Sequence, residues 1–348
     1  MRHEEKIKVG ISIGDLNGIG GEIIIKLFED NRILDFFTPI IFASVKTIYF
    51  LKKHFESTFN FIGIHNITQV QHGKVNIINV WNEEVKIEFG EENLKIGEYA
   101  IKSLVAATEA LKTGKVDILV TAPINKHNIQ SEKFNFPGHT DYLAKELEGN
   151  SLMFMVTDAL KVGLLTDHVP VKDISSNITE ELIESKIDTV YNSLMKDFGI
   201  RKPKIAVLGI NPHTGDNGVI GNEDDTILRP TLKKIRESGK LVFGPYAADS
   251  FFGSKNYKNF DAIIAAYHDQ GLIPFKTLSF GNGVNFTAGL NKVRTSPDHG
   301  TAYEIAGKGI ADISSFREAI FTGVSIFKMR NIHEELNAHV LKKQTKKI

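Results

Sequence analysis

Short runs rich in valine and isoleucine alternate along this chain with segments whose apolar residues recur at helical spacing, and that alternation constrains the fold more than any other feature. A strand followed by a helix that crosses back over the sheet is what such a pattern builds. The expected architecture is therefore α/β with a largely parallel sheet. Ile7–Ile13 predicts the first strand, and Val116–Val120, Ile205–Gly209 and Ala262–Ala266 predict further buried ones. Glu98–Thr113, stopped by Gly114, predicts a helix. Thr179–Phe198 predicts the longest helix, with acids in the first turn where the helix dipole favours them. A chain of 348 residues has room for about two domains.

Composition excludes several classes. With 42 Lys and Arg against 42 Asp and Glu, the chain lacks the basic surplus that a nucleic-acid binder needs over a broad face. There is no cysteine, so disulfides and thiolate chemistry are excluded and any metal must be held by histidine and carboxylate ligands. Met1–Lys6 runs straight into a strand pattern without an apolar leader, and no apolar run approaches the roughly 18 residues of a membrane span. A cytoplasmic protein without membrane contacts is expected. The lysine-rich end, Leu341–Ile348, reads as a solvated helix end.

Several segments carry candidate chemistry. Gly14, Gly18, Gly20 and Gly21 precede the helical run Ile23–Phe28; their G-x-x-x-G-x-G-G spacing is not the dinucleotide fingerprint, and it suits a tight strand-to-helix turn as well as a loop approached by a ligand. Thr121–Lys126 is a polar turn at the C-terminal end of a predicted strand, where open α/β sheets place ligands. His168, His213 and His268 each follow a strand-like run. Three imidazoles at neighbouring strand ends could ligate one divalent cation, or each could be a hydrogen-bonded histidine of the interior. Asp167 and Asp269 stand beside two of them as orienting carboxylates or proton acceptors, although neighbours on an extended strand point apart.

Phe136–Asp141 (FPGHTD) is a turn opening a helix over 141–148, and His139 and Thr140 with the free N–H groups there form a candidate anion site; alternatively Thr140 or Asp141 simply caps the helix. Lys276, Asn285 and Arg294 are spaced polar residues among apolar and glycine stretches, two cations and an amide suited to a phosphorylated acid. Finally, Pro297–Asp312 places a His299-Gly300-Thr301 turn before a predicted helix of small residues, which suits close approach of a nucleotide.

The segments TAPINK, FPGHTDYLA, LLTDHVPV, INPHTGDNG with GNED, AYHDQG and SPDHGTAYEIAGKGIAD together resemble the 4-hydroxythreonine-4-phosphate dehydrogenase family of pyridoxal phosphate (vitamin B6) biosynthesis, over nearly the whole chain. The last segment is also similar to a loop of isopropylmalate and isocitrate dehydrogenases that holds the adenosine part of the nucleotide. The resemblance implies a two-domain α/β/α subunit of that fold, with residues 1–130 and 295–348 forming the first domain, 131–294 the second, and NAD in the cleft between them. It implies a homodimer whose sites are shared: one divalent ion (Zn, Mg, Co, Mn or Ni) on His168 and His213 of one subunit and His268 of the other. Substrate contacts would be His139, Thr140, Lys276, Asn285 and Arg294, cofactor contacts His299, Gly300 and Thr301, and the reaction-centre carboxylates Asp249 and Asp269. The implied reaction oxidises 4-phosphooxy-L-threonine with NAD and then decarboxylates the product. A sister dehydrogenase of D-threonate or D-erythronate 4-phosphate is the nearest alternative, and a phosphate acyltransferase of the same fold a more distant one. Many family members read GDPAGIGPE where this chain reads GDLNGIGGE at 14–22, so two prolines are replaced while Asp15, Gly18, Gly20 and Glu22 remain.

Overall fold

A computed structural model describes residues 6–132, 134–136, 138–279 and 281–338; Met1–Glu5, Pro137 and the lysine-rich end lie outside the described residues. The first stretch of chain runs β1 (Lys8–Ser12), α1 (Gly20–Leu27), β2 (Thr38–Ala43), α2 (Val45–His54), β3 (Phe61–Ile64), β4 (Val75–Asn79), α3 (Leu94–Lys112) and β5 (Ile118–Thr121). It continues through α4 (His139–Glu146), β6 (Gly149–Val156), β7 (Lys161–Leu164), α5 (Ile174–Asn177), α6 (Glu180–Lys196), β8 (Lys204–Leu208), α7 (Arg229–Glu237), β9 (Leu241–Tyr246) and α8 (Ala248–Gly253). The last elements are β10 (Ala262–Ala265), α9 (His268–Ser279), β11 (Val284–Leu290), β12 (Val293–Pro297) and α10 (Ser314–Ala338).

All strands join one twelve-stranded sheet in the order β3-β4-β2-β1-β5-β12-β11-β6-β7-β10-β8-β9. Six neighbours from β3 to β12 are mutually parallel, and so are the four from β7 to β9. Between them β11 runs antiparallel to β12 and β6, and β6 antiparallel to β7. The α/β reading therefore holds, with an antiparallel seam at its centre. Strands such as β2, β5 and β10 are buried along their whole length, as sheets covered by helices on both faces require.

Two expectations about helices need correction. The longest helix is α10, at 25 residues, rather than the 17-residue α6. Its buried positions include Ser315, Gly323 and Arg330 while Ile332 and Leu336 are exposed, so the sequence lacks a clean apolar stripe and burial is set by packing against β12 and β11. The helix expected after His299-Gly300 is absent: Tyr303–Ile305 makes one 3₁₀ turn and the chain then loops to Ile313. Gly307 and Gly309 both take positive φ, 75° and 71°, which no α-helix accommodates. The loop is held instead by α1, where Glu22 accepts from the Ala311 N–H at 2.7 Å and Lys26 donates to the Gly309 carbonyl at 2.7 Å.

Candidate active site

The antiparallel seam forms the floor of an open cavity of about 270 Å³. Strand register brings Ser296 of β12, Asn285 of β11 and Met155 of β6 side by side, and alternation puts Arg294 and Met153 on the same face one step along. Around this floor stand Thr121 and the 123–126 turn after β5, Gly138–Asp141 at the start of α4, His168 after β7, His268 and Lys276 on α9, and Pro297–Gly300 after β12. A cavity of this size suits a small, polar ligand.

The chemistry of the lining is cationic and incompletely satisfied. Arg294 is 1% exposed and has no carboxylate partner among the described residues; its two terminal nitrogens donate to the hydroxyls of Thr121 (2.6 Å) and Thr287 (3.1 Å). Burial pulls its guanidinium down to about 9, still cationic near neutrality. Four enclosed polar atoms lack a protein partner and belong to residues lining this one cavity: Arg294 Nε, His139 Nε2, Asn285 Oδ1 and His299 Nε2. Native interiors leave few such atoms unpaired, and their convergence marks a place for a polar ligand. Burial and the nearby Arg294 and Lys126 charges hold His139 well below the ordinary imidazole range, so it is neutral. His139 opens α4 after Gly138, so neither Thr140 nor Asp141 serves as the cap, and both line the cavity instead. Lys276 lies on α9, not on a strand end, and its ammonium donates to the Asp298 carbonyl at 3.1 Å.

His168 and His268 come together because β7 and β10 are hydrogen-bonded parallel neighbours, Leu164 facing Ala265, and both loops leave the same edge. Their ring centroids are 5.9 Å apart. His268 opens α9, so Asp269 does not point away as it would on a strand: its carboxylate bonds His268 Nδ1 at 2.7 Å and leaves Nε2 free. Burial, with Lys126 nearby, lowers His168 below its ordinary range and keeps its lone pair available. Two adjacent imidazoles, one braced by a carboxylate, fit half the donor set of a divalent cation. Among the described residues no third histidine or acid of the same chain joins them.

His213 is the one set apart. Asp224 pins the Ile210 and Asn211 N–H groups at 2.9 Å each, and His213, Thr214, Asp216 and Asn217 then take left-handed backbone that turns the segment away. His213 is exposed and does not line the cavity, so within one chain His168 pairs with His268 rather than with His213. Asp249, on α8, is likewise exposed and outside the cavity lining. Thr301 also lies outside; its carbonyl accepts from the Ile19 N–H at 3.0 Å. Lys126 is a lining residue to which the sequence reading gave no role of its own. It makes no ion pair or hydrogen bond through its ammonium among the described residues, and its position in a polar turn after a strand was the available signal.

Residues 35–323 match the family model described as "Pyridoxal phosphate biosynthetic protein PdxA". The chain belongs to this family. A relative from Bacteroides thetaiotaomicron named 4-hydroxythreonine-4-phosphate dehydrogenase is 46% identical over 343 residues, 98% of this chain and 94% of that one. One of the same name from Sulfurihydrogenibium is 40% identical, covering 93% and 99%. Among solved structures, the Klebsiella pneumoniae enzyme of that name superposes with a TM-score of 0.79 at 31% identity, covering 93% of this chain and all of that one. The PdxA match covers the seam, the block from β7 to β9 and every strand of the other block except β1, and all the residues lining the cavity fall within it.

Proposed function

We propose that this PdxA-family chain is an NAD-dependent, divalent-metal-dependent dehydrogenase that oxidises the C3 hydroxyl of 4-phosphooxy-L-threonine to 2-amino-3-oxo-4-phosphooxybutanoate, which then loses CO₂ to give 3-amino-2-oxopropyl phosphate. The observation that carries the reading is the convergence of a buried, carboxylate-free guanidinium with three other unpartnered polar atoms on one small cavity. Such a cavity is built for a small, highly charged ligand. The names of the curated relatives point to the same substrate.

In this reading Arg294, Lys276, Asn285, His139 and Thr140 bind the phosphate and carboxylate and fix the reacting carbon. Neutral His139 donates or accepts a hydrogen bond without adding a proton of its own. His168 and His268 would hold the cation, with His213 of a second copy completing the set, so that the active unit in this reading is a homodimer. When bound, the cation would supply Lewis-acid polarisation of the hydroxyl, and NAD would supply the hydride acceptor. Asp269 keeps the His268 ring oriented. The hydroxyl proton leaves to a carboxylate, either Asp269 or Asp249 contributed by the second copy. His299 and Gly300 line the cavity and Thr301 lies just beyond it, and in this reading they form the wall that the cofactor would meet.

The test is NADH absorbance on mixing protein, NAD and 4-phosphooxy-L-threonine, with divalent metal or with chelator, and with D-threonate 4-phosphate for comparison. Metal-dependent NADH formation from the first acid is expected. NADH from the second acid alone would transfer the site to the sister activity, and silence with both would overturn the dehydrogenase reading.

A further inference from the structure

The glycine-rich loop after β1 is the part of the molecule that the proposed reaction leaves without a task. Residues 14–20 are all buried and none lines the cavity. The glycines are explained by chain packed against chain. A Cβ on Gly14, at φ 74°, would stand 2.3 Å from the Pro123 carbonyl oxygen, one on Gly18 2.9 Å from that of Thr301, and one on Gly20 2.6 Å from that of Ile13. The loop is thus pressed between the segment after β5 and the segment after β12.

These segments are two walls of the cavity. Pro123, Ile124 and Lys126 line one side, and Pro297–Gly300 line the other. Behind the walls the loop ties both. The Asp15 N–H donates to the Pro123 carbonyl at 2.9 Å, and the Ile19 N–H donates to the Thr301 carbonyl at 3.0 Å. The Asp15 carboxylate, 1% exposed, then accepts from the Tyr303 hydroxyl at 2.8 Å and the Asn128 amide at 3.3 Å, while Asn128 donates to the Tyr303 oxygen at 3.1 Å. Asn128 follows Lys126 by two residues and Tyr303 follows Gly300 by three, so a closed triangle of side chains spans the two walls. A second Asp15 oxygen accepts from the Asn17 N–H at 2.9 Å, fixing the carboxylate's own orientation.

We propose that Asp15 and Tyr303 are positioning residues, whose hydrogen bond, closed by Asn128, sets the wall carrying Lys126 at a fixed separation from the wall carrying His299. The inference rests on the reading above in placing substrate in the cavity that Lys126 lines and cofactor at the wall that carries His299. Neither residue lines the cavity. Both act by aligning the groups that do, and misalignment of reacting groups lowers turnover more than binding.

Tyr303→Phe removes one hydroxyl from a half-buried ring, and Asp15→Asn sets an amide donor against two donors. In NADH formation from 4-phosphooxy-L-threonine each variant is expected to lower kcat by about tenfold or more while KM for the acid changes less than about threefold. The double variant should lose no more than the worse single one, because both break the same link. Hydrogen exchange in peptides spanning 123–128 and 299–305 should quicken in both segments together. That readout needs neither substrate nor cofactor. If the wild-type protein forms no NADH the functional reading fails, and exchange still decides the brace. Wild-type kcat in a folded Tyr303→Phe protein, exchange quickened in one segment alone, or additive losses in the double variant would each overturn the proposal. Should Asp15→Asn not fold, Asn128→Ala replaces it in the same comparison.

Discussion

Arg294→Met should make the free protein more stable while abolishing its anion binding. The guanidinium is wholly buried without a carboxylate, and its displacement to about 9 corresponds to roughly 5 kcal/mol of lost hydration at about 1.4 kcal/mol per tenfold. This is an upper bound, because water enters an open cavity and screens the charge. Methionine has similar length and no charge, but it leaves the hydroxyls of Thr121 and Thr287 short of one donor each, at about 1 kcal/mol apiece. The net gain is about 1–3 kcal/mol, within the range seen when buried charges are replaced by apolar residues. The sign against pH follows from a cation whose folded value is lowered. The penalty is fully present below about 9 and is relieved as pH rises above it, so the variant's advantage is flat from about pH 6 to 8 and shrinks in stronger alkali. The assay is calorimetric melting in phosphate-free buffer and in rising inorganic phosphate. Phosphate should stabilise the wild type by roughly 2.7 kcal/mol at about a hundredfold excess over Kd and leave the variant unchanged. A variant that melts below the wild type in phosphate-free buffer, or gains as much from phosphate, would refute the argument.

His168→Ala, at an exposed position, should cut kcat/KM by at least about a hundredfold with melting unchanged within about 0.5 kcal/mol; wild-type turnover in metal-free buffer would remove the cation from the site. With His168 beside His268 and His213 apart from them, the proposed site, completed by His213 of a second copy, predicts that mixing His168→Ala with His213→Ala chains restores about a quarter of wild-type activity through mixed dimers. Mixing His168→Ala with His268→Ala should restore nothing, and recovery in that pair would show that the two act from different subunits. Gly97→Ala ought to strengthen helix α3 by propensity, yet the new Cβ would sit 1.9 Å from the Asn128 carbonyl oxygen, so a loss of about 2–4 kcal/mol in denaturant unfolding is expected. Arg330→Ala should cost about 3–5 kcal/mol, since it strands the buried Asp197 carboxylate that Arg330 holds at 2.6 Å; a loss under about 1 kcal/mol would mean that water replaces the pair.

Much of this site was legible before folding. Strands have a short period and helices a longer one, so the runs ending at Thr121, Leu164, Leu208 and Ala265 announced themselves, and with them the polar residues just beyond. The residue types were equally informative. A chain without cysteine could hold a metal only through histidine and carboxylate, and histidines follow three such runs; the burial of Arg294, flanked by Lys292, Val293, Thr295 and Ser296, was not legible there and follows from the place of β12 inside the sheet. Helix α10 and the loop at 306–313 were misread because their conformations answer to neighbours: α10 to strands on several sides, the loop to Glu22 and Lys26 of a helix almost 290 residues earlier.

The sequence by itself determined which residues are chemically equipped and that the chain builds an α/β sheet, since both follow from local periodicity and side-chain type. Only the tertiary structure decided which of them meet. It set His268 beside His168 and turned His213 outward, made Asp269 a brace for His268, and put Asp15 behind the cavity rather than in it. Those outcomes depend on strand order, on an antiparallel seam between two parallel blocks, and on left-handed backbone after β8. Each is fixed by contacts between segments far apart in the chain, and spacing along the chain carries no information about them.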